Sequence, residues 1–360
     1  MAKPRELLAV LLDSPREAGT PGAAHARRLV ADQLRALGYQ VEEQPFAFYP
    51  SSLNALPMFG AGLGWLTLIQ IPLVTVGGAP AWGALVAWIG GLVALGLLVR
   101  GTALGWSSLG GGVREDANLI ATRGNAPVRR WIVAHLDTKA QGQSLAGRAV
   151  GAVVAALALL TLTVVAVLRL WGPLESDVVG YAAVLALAAC GLAARGALRG
   201  QSPGARDNGS GLLAALVAAE SAPDRGVGIL ITGAEEFGLV GARVFAREFG
   251  PQLVGVEVVN LDTIDDRGIM YVVSHDAAGA RLAGALTDRL APAAPLVRRR
   301  SQPLWLFVDS RPLSRAGAAA LTVARLDWAT LRRVHTPKDT PAGLSFTSAE
   351  LVGRLVAGPV

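Results

Sequence analysis

Seven side chains of this sequence are of the types that hold metal ions and move protons in hydrolytic enzymes. They are His135, Asp137, Asp207, Glu235, Glu236, Asp262 and His335. The chain has 4 histidines in all, and two belong to this set. Its one cysteine, Cys190, lies in an apolar run, so neither a disulfide nor a thiolate ligand is expected. The inventory predicts a zinc site built from imidazole and carboxylate groups.

Each of these residues has an ordinary explanation when it is taken singly. Asp207, in a Gly- and Ser-rich turn before an expected helix, could cap that helix. The pair of Glu235 and Glu236 could be solvated surface, and His335, before a Thr-Pro turn, could be a loop histidine without a role. Taken together, two histidines and five acidic residues match two zinc ions with one bridging carboxylate. Within the glutamate pair, one carboxylate could hold metal while the other faces a metal-bound water.

Short apolar runs predict the strands that position these side chains. The runs are residues 131–134, 227–232 and 256–261, all bounded by loops, as expected of central strands buried on both faces. His135 and Asp137 follow the first run, Glu235 and Glu236 the second, and Asp262 the third. Ligands of open α/β sheets bind beyond the carboxyl ends of the strands, so we expect these side chains to converge at one edge.

Helical periodicity separates these strands. Residues 23–37, 209–219 and 278–290 predict amphipathic or covering helices, the first of them followed by Gly38 as a stop signal. The fold class we expect is therefore α/β with a mostly parallel sheet.

Apolar blocks interrupt this pattern twice. The chain is 52% hydrophobic and only 17% charged, and no charged residue occurs between positions 44 and 99. Residues 56–76, 81–99, 149–168 and 178–194 each approach the ~20 residues that a membrane-spanning helix requires. Buried helices of a soluble α/β protein are the alternative, but such helices rarely run this long without a polar face. We therefore expect four spanning helices, arranged as two inserted hairpins.

The expected organisation is a catalytic domain in three parts with a hairpin between successive parts. The three parts of the catalytic domain are residues 1–55, 100–147 and 199–360. The two hairpins are residues 56–99 and 148–198. Each hairpin must cross the bilayer an even number of times, since the sequence on both sides of it supplies one site.

Arginines set the expected orientation. Most of those near the apolar blocks lie on the domain side, namely Arg100, Arg114, Arg148, Arg195, Arg199 and Arg206. Only Arg169 lies on the hairpin-loop side. With no signal peptide in residues 1–44, this predicts an integral membrane protein with a cytoplasmic catalytic domain. The net charge of +6 comes without a basic stripe interleaved with aromatics, so no nucleic-acid partner is expected.

The motifs around the candidate ligands resemble those of the di-zinc exopeptidase family of metallopeptidases, which includes bacterial leucyl aminopeptidases, glutamate carboxypeptidase II and glutaminyl cyclase. The resemblance rests on His135-Leu136-Asp137, on residues 207–211 (DNGSG), on residues 233–239 (GAEEFGL), on Asn260-Leu261-Asp262 and on His335-Thr336-Pro337. These segments occur in the family's order along about two thirds of the chain.

The resemblance implies a role for each residue. One zinc would take His135 and Asp262, the other Glu236 and His335, and Asp207 would bridge them. By the same resemblance, Asp137 would orient His135, and Glu235 would be the general base. Two departures are plain. The hairpin at residues 148–198 separates His135 from Asp207, and the segment Asp309-Ser310-Arg311-Pro312-Leu313 lacks the His and Phe usual near the substrate pocket.

The function we expect is that of a membrane-embedded zinc exopeptidase, most simply an aminopeptidase acting on a peptide or small amide, with two zinc ions per chain. One alternative is a single-zinc enzyme that cyclises N-terminal glutamine or deacylates a small amide. A second is a non-catalytic membrane scaffold on the peptidase fold, although such proteins typically lack some of the ligands. The residues leave the oligomeric state open.

Overall fold

The computed structural model describes residues 3–50, 55–75, 80–103, 112–124, 127–172, 174, 176–194, 198, 201–222, 226–303 and 307–358. The chain divides into two compact units. The sheet unit comprises Met1–Phe48, Val113–Ala140 and Gly200–Val360, and the helical unit comprises Tyr49–Gly112 and Gln141–Arg199. The domain boundaries expected at residues 55, 99, 147 and 198 stay predictions.

An eight-stranded sheet forms the centre of the sheet unit. Its strands are β1 (Gln40–Phe48), β2 (Arg114–Thr122), β3 (Arg130–His135), β4 (Val227–Thr232), β5 (Glu257–Ile264), β6 (Ile269–Ser274), β7 (Val297–Ser301) and β8 (Ala319–Leu326). Their order is β1-β2-β4-β3-β5-β8-β6-β7. The inner strands β4, β3, β5 and β8 are parallel to one another, whereas β1 with β2, β2 with β4 and β6 with β8 are antiparallel. The sheet is therefore mixed, with its parallel part at the centre.

The helices of the structure, in chain order, are α1 (Pro4–Leu12), α2 (Pro21–Ala36), α3 (Ala55–Thr75), α4 (Ala81–Ala103), α5 (Leu145–Leu168), α6 (Ser176–Ala194), α7 (Gly211–Ser221), α8 (Val240–Leu253), α9 (Ala277–Leu290), α10 (Ser310–Arg315), α11 (Trp328–Leu331) and α12 (Thr347–Ala357). Helices α3 to α6 belong to the helical unit, and the others belong to the sheet unit.

The core of the sheet unit explains why its central segments are so apolar. Every residue of β3 and β4 is buried, as parallel strands covered on both faces require. Helix α7 is buried from Gly211 to Ala219 and packs on β3 and β5, so it has no polar face. Helix α2 is amphipathic instead, with Ala26, Val30 and Leu34 buried in the same core.

The helical unit is a bundle in which α3 packs against α4 and α6, and α5 packs against α4 and α6. Its interior contains Leu63, Ala158 and Ala186, and Trp88 donates its indole N–H to the Thr163 hydroxyl at 3.0 Å. Among the described residues, Ala81–Gly101 and Leu145–Leu168 are long and apolar enough to cross a membrane. Met58–Ile69 and Asp177–Leu192 are shorter apolar stretches.

The structure corrects one expectation about the strands. We expected a strand over residues 256–261 with Asp262 just beyond it, but β5 runs from Glu257 to Ile264 and includes Asp262. Its pairing with β8 shifts register between Leu261 and Ile264, and Thr263 has a φ of 52°. An irregular strand end of this kind changes the direction in which its side chains point. The pattern of apolar residues in the sequence cannot reveal such an irregularity.

Candidate metal centre

The sheet brings the expected ligands to one edge from separate elements. His135 is the last residue of β3, Asp262 lies in the irregular end of β5, and Glu236 lies in the turn between β4 and α8. Asp207 lies in the buried turn that precedes α7, and His335 follows α11. All five are among the described residues of the sheet unit.

Asp207 stands at the centre of this arrangement. Its Oδ1 atom lies 3.1 Å from His135 Nε2, and its Oδ2 atom lies 2.9 Å from His335 Nε2. The two oxygens of one carboxylate therefore face two different imidazoles. That is the arrangement needed for a carboxylate that bridges two cations.

Asp262 and Glu236 extend the arrangement on opposite sides of Asp207. Asp262 Oδ1 lies 3.8 Å from His135 Nε2, and Glu236 Oε1 lies 2.9 Å from His335 Nε2. Two sets of potential ligand atoms result, one from His135, Asp207 and Asp262 and the other from Asp207, Glu236 and His335. Within each set the ligand atoms lie within 4.8 Å of one another.

The chemistry of these residues fits divalent cations. His335 Nδ1 is buried without a hydrogen-bond partner, and the buried Oε1 atom of Glu236 has only its close approach to His335 Nε2. Although burial alone lowers the pKa of the His135 imidazole, the carboxylates around it, Glu235 first among them, raise that pKa well above its ordinary value. The same negative potential that holds a proton there would favour a metal ion. Imidazole nitrogens and carboxylate oxygens are the donor set that zinc accepts in catalytic sites.

Asp137 is placed to organise both the histidine and the glutamate pair. His135 Nδ1 lies 3.0 Å from the main-chain oxygen of Asp137, so Nδ1–H can donate there and leave Nε2 to face Asp207. The carboxylate of Asp137 accepts the backbone N–H groups of Glu235 at 3.0 Å and Glu236 at 3.1 Å. Asp137 thus ties the ends of β3 and β4 together.

Glu235 is buried and lies outside both sets of ligand atoms. Burial, together with the neighbouring carboxylate of Glu236, raises the pKa of Glu235 well above its ordinary value, although His135 acts in the opposite direction. A carboxyl group with a raised pKa holds a proton more firmly than a surface glutamate does. This is the property that a general base and acid in a hydrolase needs.

Asp309, which the sequence placed in a segment that departs from the family, is buried beside these residues. Its Oδ2 atom accepts the hydroxyl of Thr232 at 2.5 Å, and its Oδ1 atom has no hydrogen-bond partner. Burial raises the pKa of Asp309 to about 7. The hydroxyl of the next residue, Ser310, is hydrogen-bonded to His275 Nε2 and to the Thr322 hydroxyl, both at 2.6 Å.

Two buried groups that sequence reasoning missed hold the Asp207 turn. The carboxylate of Asp339 accepts the backbone N–H groups of Arg206 and Asp207, each at 3.0 Å. The Arg206 guanidinium donates to Asp265 Oδ2 at 2.9 Å. Asp339 lies four residues after His335, so its carboxylate links the His335 loop to the bridging position.

The sequence did not indicate Arg16 either, and its side chain links the segments around the site by hydrogen bonds. Its guanidinium is fully buried and donates to the carbonyl oxygens of Leu11, Leu136, Pro203 and Gly204 at 2.8 to 3.1 Å. Burial lowers the pKa of Arg16 to about 10. The carbonyls belong to α1, to the segment after β3 and to the turn before Asp207, which are distant in sequence.

Lys139 is a further group that the sequence did not indicate. Its side chain is buried, and its Nζ atom lies 2.5 Å from Glu236 Oε2. Lys139 also lines a cavity of about 420 Å³ together with Glu17, Thr20, Gln201 and Ser202. The ammonium group therefore pairs with one of the candidate zinc ligands.

Part of the chain matches a known protein family by sequence. The sequence model described as Peptidase family M28 matches residues 192–359. No curated protein matches the chain by sequence.

Several solved structures share the fold. A glutaminyl cyclase from Fimbriiglobus ruber is similar with a TM-score of 0.57 and 17% identity, over 99% of this chain and 93% of that one. An aminopeptidase from Aneurinibacillus sp. strain AM-1 is similar with a TM-score of 0.55 and 15% identity, over 97% and 91%. A zinc aminopeptidase from Bacillus subtilis is similar with a TM-score of 0.55 and 15% identity, over 99% and 93%.

Proposed function

We propose that this chain, a metallopeptidase of the hydrolase class whose residues 192–359 match the model of peptidase family M28, is an exopeptidase that removes N-terminal residues from peptides at a two-zinc centre. The family implies zinc and a peptide substrate. The number of zinc ions, the bond that is cleaved and the association with a membrane are parts of the proposal.

The proposal rests on the two carboxylate oxygens of Asp207. In it, His135 and Asp262 hold one zinc ion, Glu236 and His335 hold the other, and the two oxygens of Asp207 serve both, as their contacts with different imidazoles suggest. Three protein ligands per ion leave positions for water and substrate.

Zinc ions held there would supply Lewis acidity, which polarises the scissile carbonyl and makes a bound water acidic. Glu235 would accept the proton of the attacking water and then return it to the leaving amine. Asp137 would hold the backbone of Glu235 by the 3.0 Å hydrogen bond, and so fix the position from which that carboxylate acts. Glu235 can carry both steps because its raised pKa lets it hold the proton between them.

We also propose that the helical unit is embedded in a membrane through four spanning helices, α3 to α6. Apolar side chains on all four helices are exposed, among them Trp65 at 69%, Leu97 at 64%, Leu160 at 61% and Val184 at 68%. Exposure of this extent on a bundle matches a lipid environment better than water. Trp82 and Trp171, exposed at 66% and 77%, lie at the two hairpin tips, where interfacial aromatic residues are common. The catalytic unit would lie in the cytoplasm, as the arginine distribution favours.

One observation favours a second candidate, a glutaminyl-cyclase-like reaction that needs a single zinc. Lys139 pairs with Oε2 of Glu236 and so places a positive charge beside one of the two proposed zinc positions, which disfavours a second ion there. Among the solved structures of this fold are glutaminyl cyclases. The two candidates share the site but differ in the number of metal ions and in the product.

Zinc analysis together with a substrate panel tests the proposal. Purified protein should contain close to two zinc ions per chain, release N-terminal residues from aminoacyl and peptidyl substrates, and lose activity when a chelator removes the metal. His335→Ala should lower the zinc content, whereas His25→Ala, at an exposed position of α2, should leave it unchanged. Protein that binds no zinc even after reconstitution would refute the proposal. One zinc with cyclisation of N-terminal glutamine would favour the second candidate.

A further inference from the structure

Lys139 places a positive charge at one of the two proposed zinc positions and not at the other. Its Nζ atom lies 2.5 Å from Glu236 Oε2, and its side chain is only 6% exposed. No lysine or arginine among the described residues forms an ion pair with Asp262 or with Asp207. The two ligand sets are therefore unequal in charge, although each contains one imidazole and two carboxylates.

The burial of Lys139 maintains this difference in charge between the two ligand sets. Lys139 lies two residues after Asp137, and the hydrogen bonds from Glu235 and Glu236 to Asp137 fix the backbone of its partner. The ammonium has little access to water, so its charge is poorly screened at a distance of a few ångströms. A divalent cation beside Glu236 would meet this charge directly.

We propose that Lys139 competes with zinc for Glu236, so that the site of His135, Asp207 and Asp262 fills first and the site of Asp207, Glu236 and His335 binds zinc more weakly. This inference rests on the proposed zinc centre and deepens it. Lys139 is a positioning residue in this scheme, since it acts on metal through Glu236. Occupancy of the second site, and with it the two-zinc form, would depend on the zinc concentration around the protein.

Zinc titration of the full-length protein against a chromophoric chelator tests this without recourse to activity. The wild type should show one tight and one weak zinc. Lys139→Met removes the charge and leaves Oε2 of Glu236 to the metal, so it should tighten the weak site at least about tenfold while the tight site stays within about threefold. Lys139→Gln should tighten it as well, because the amide is neutral, and it serves if the methionine variant does not fold.

Lys338→Met is the matched control. Lys338 lies three residues after His335 but is exposed, so loss of its charge should leave both dissociation constants unchanged. Unchanged constants in both neutral variants of Lys139, or weaker zinc binding in them, would overturn the inference while leaving the zinc centre intact. A wild type that binds no zinc would instead overturn the proposed function itself.

Discussion

Glu235 and Glu236 are adjacent in the chain, yet their carboxylates have different surroundings. Glu236 contacts His335 at 2.9 Å and Lys139 at 2.5 Å, and burial is outweighed by these positive neighbours, so that the pKa of Glu236 falls to about 2. At Glu235, burial and the neighbouring carboxylates outweigh the opposing effect of His135 and raise the pKa well above the ordinary value. Folding thus shifts the pKa values of two adjacent glutamates in opposite directions, as the proposed division between a proton carrier and a metal ligand requires.

This difference gives a prediction for the two amide variants. Glu235→Gln cannot accept a proton and should lower kcat by about 10²- to 10⁴-fold, with the zinc content unchanged. Glu236→Gln removes a ligand charge and should lower the zinc content as well as the activity. Hydrolysis assays combined with metal analysis check both expectations. Equal zinc contents in the two variants would show that the roles of the pair are wrongly divided.

Sequence reasoning could reach the candidate ligands because each follows an apolar strand or stands in a distinctive turn, as His135 and Asp207 do. It could not reach Arg16, Lys139 or Asp339, whose partners are backbone carbonyls, a carboxylate and backbone N–H groups brought close only by folding. A single charged residue in a loop carries no local pattern that distinguishes a buried group from a solvated one. The roles assigned to the seven sequence-derived residues stay predictions.

Arg16 acts at the scale of elements, because it joins α1, the segment after β3 and the turn before α7. Arg16→Met would leave four carbonyl oxygens without their donor, and each unsatisfied buried acceptor costs about 1 to 3 kcal/mol. We expect the free energy of unfolding to fall by more than about 3 kcal/mol, measured by chemical denaturation. Arg16→Lys, with three donors, should lose less. Arg28→Met, at an exposed position of α2, is the control and should change little.

Asp266 anchors the start of α12 to the end of β5. Its carboxylate accepts the backbone N–H groups of Ser345 at 2.5 Å, Phe346 at 2.9 Å and Ser348 at 3.2 Å. Burial alone would raise the pKa of Asp266, but these hydrogen bonds outweigh burial and lower it. A carboxyl group whose pKa is lowered by folding stabilises the protein above its unfolded pKa, and this contribution is lost as the pH falls through the lowered value.

Asp266→Asn should therefore destabilise the protein at neutral pH by about 1 kcal/mol, since the partly exposed carboxylate is screened by water. The difference in melting temperature between variant and wild type should shrink as the pH falls below 4. Asp288→Asn, at an exposed position of α9, should show no such difference at any pH. A constant gap between Asp266→Asn and wild type over the acid range would contradict the role of the charge.

The elements themselves were predictable to different degrees. The expected strand at residues 227–232 coincides with β4, and the expected helix at residues 278–290 begins one residue late, because both have a clear period and clear ends. The strand β7, Val-Arg-Arg-Arg-Ser, was not foreseen, since three arginines look like a loop until the edge of a sheet provides hydrogen-bond partners. The α/β fold class is confirmed, but antiparallel pairing of β1, β2 and β6 makes the sheet mixed.

At the scale of the whole molecule, the proposal of two membrane hairpins predicts a topology. Both hairpins should enter from the cytoplasmic face, so that the N-terminus, the zinc centre and the C-terminus are all cytoplasmic. In a Cys190→Ala background, an impermeant thiol reagent applied to intact cells should label Gly172→Cys, in the loop between α5 and α6, and should not label Gly358→Cys, after α12. Permeabilised cells, in which both positions should react, are the control. The reverse pattern would place the zinc centre outside the cell.

The place of β3 between β4 and β5 has a consequence for how the protein is made. The ribosome releases β3 long before either neighbour, because the helical segment at residues 141–199 is synthesised in between. At a translation rate of about 5–20 residues per second, roughly 5 to 20 seconds pass between the synthesis of β3 and that of β4, the first of its neighbours. Its apolar edges need protection during that time. His335 leaves the ribosome last of the candidate ligands, so the loading of the proposed zinc centre can be completed only after all five ligand-bearing segments have been released.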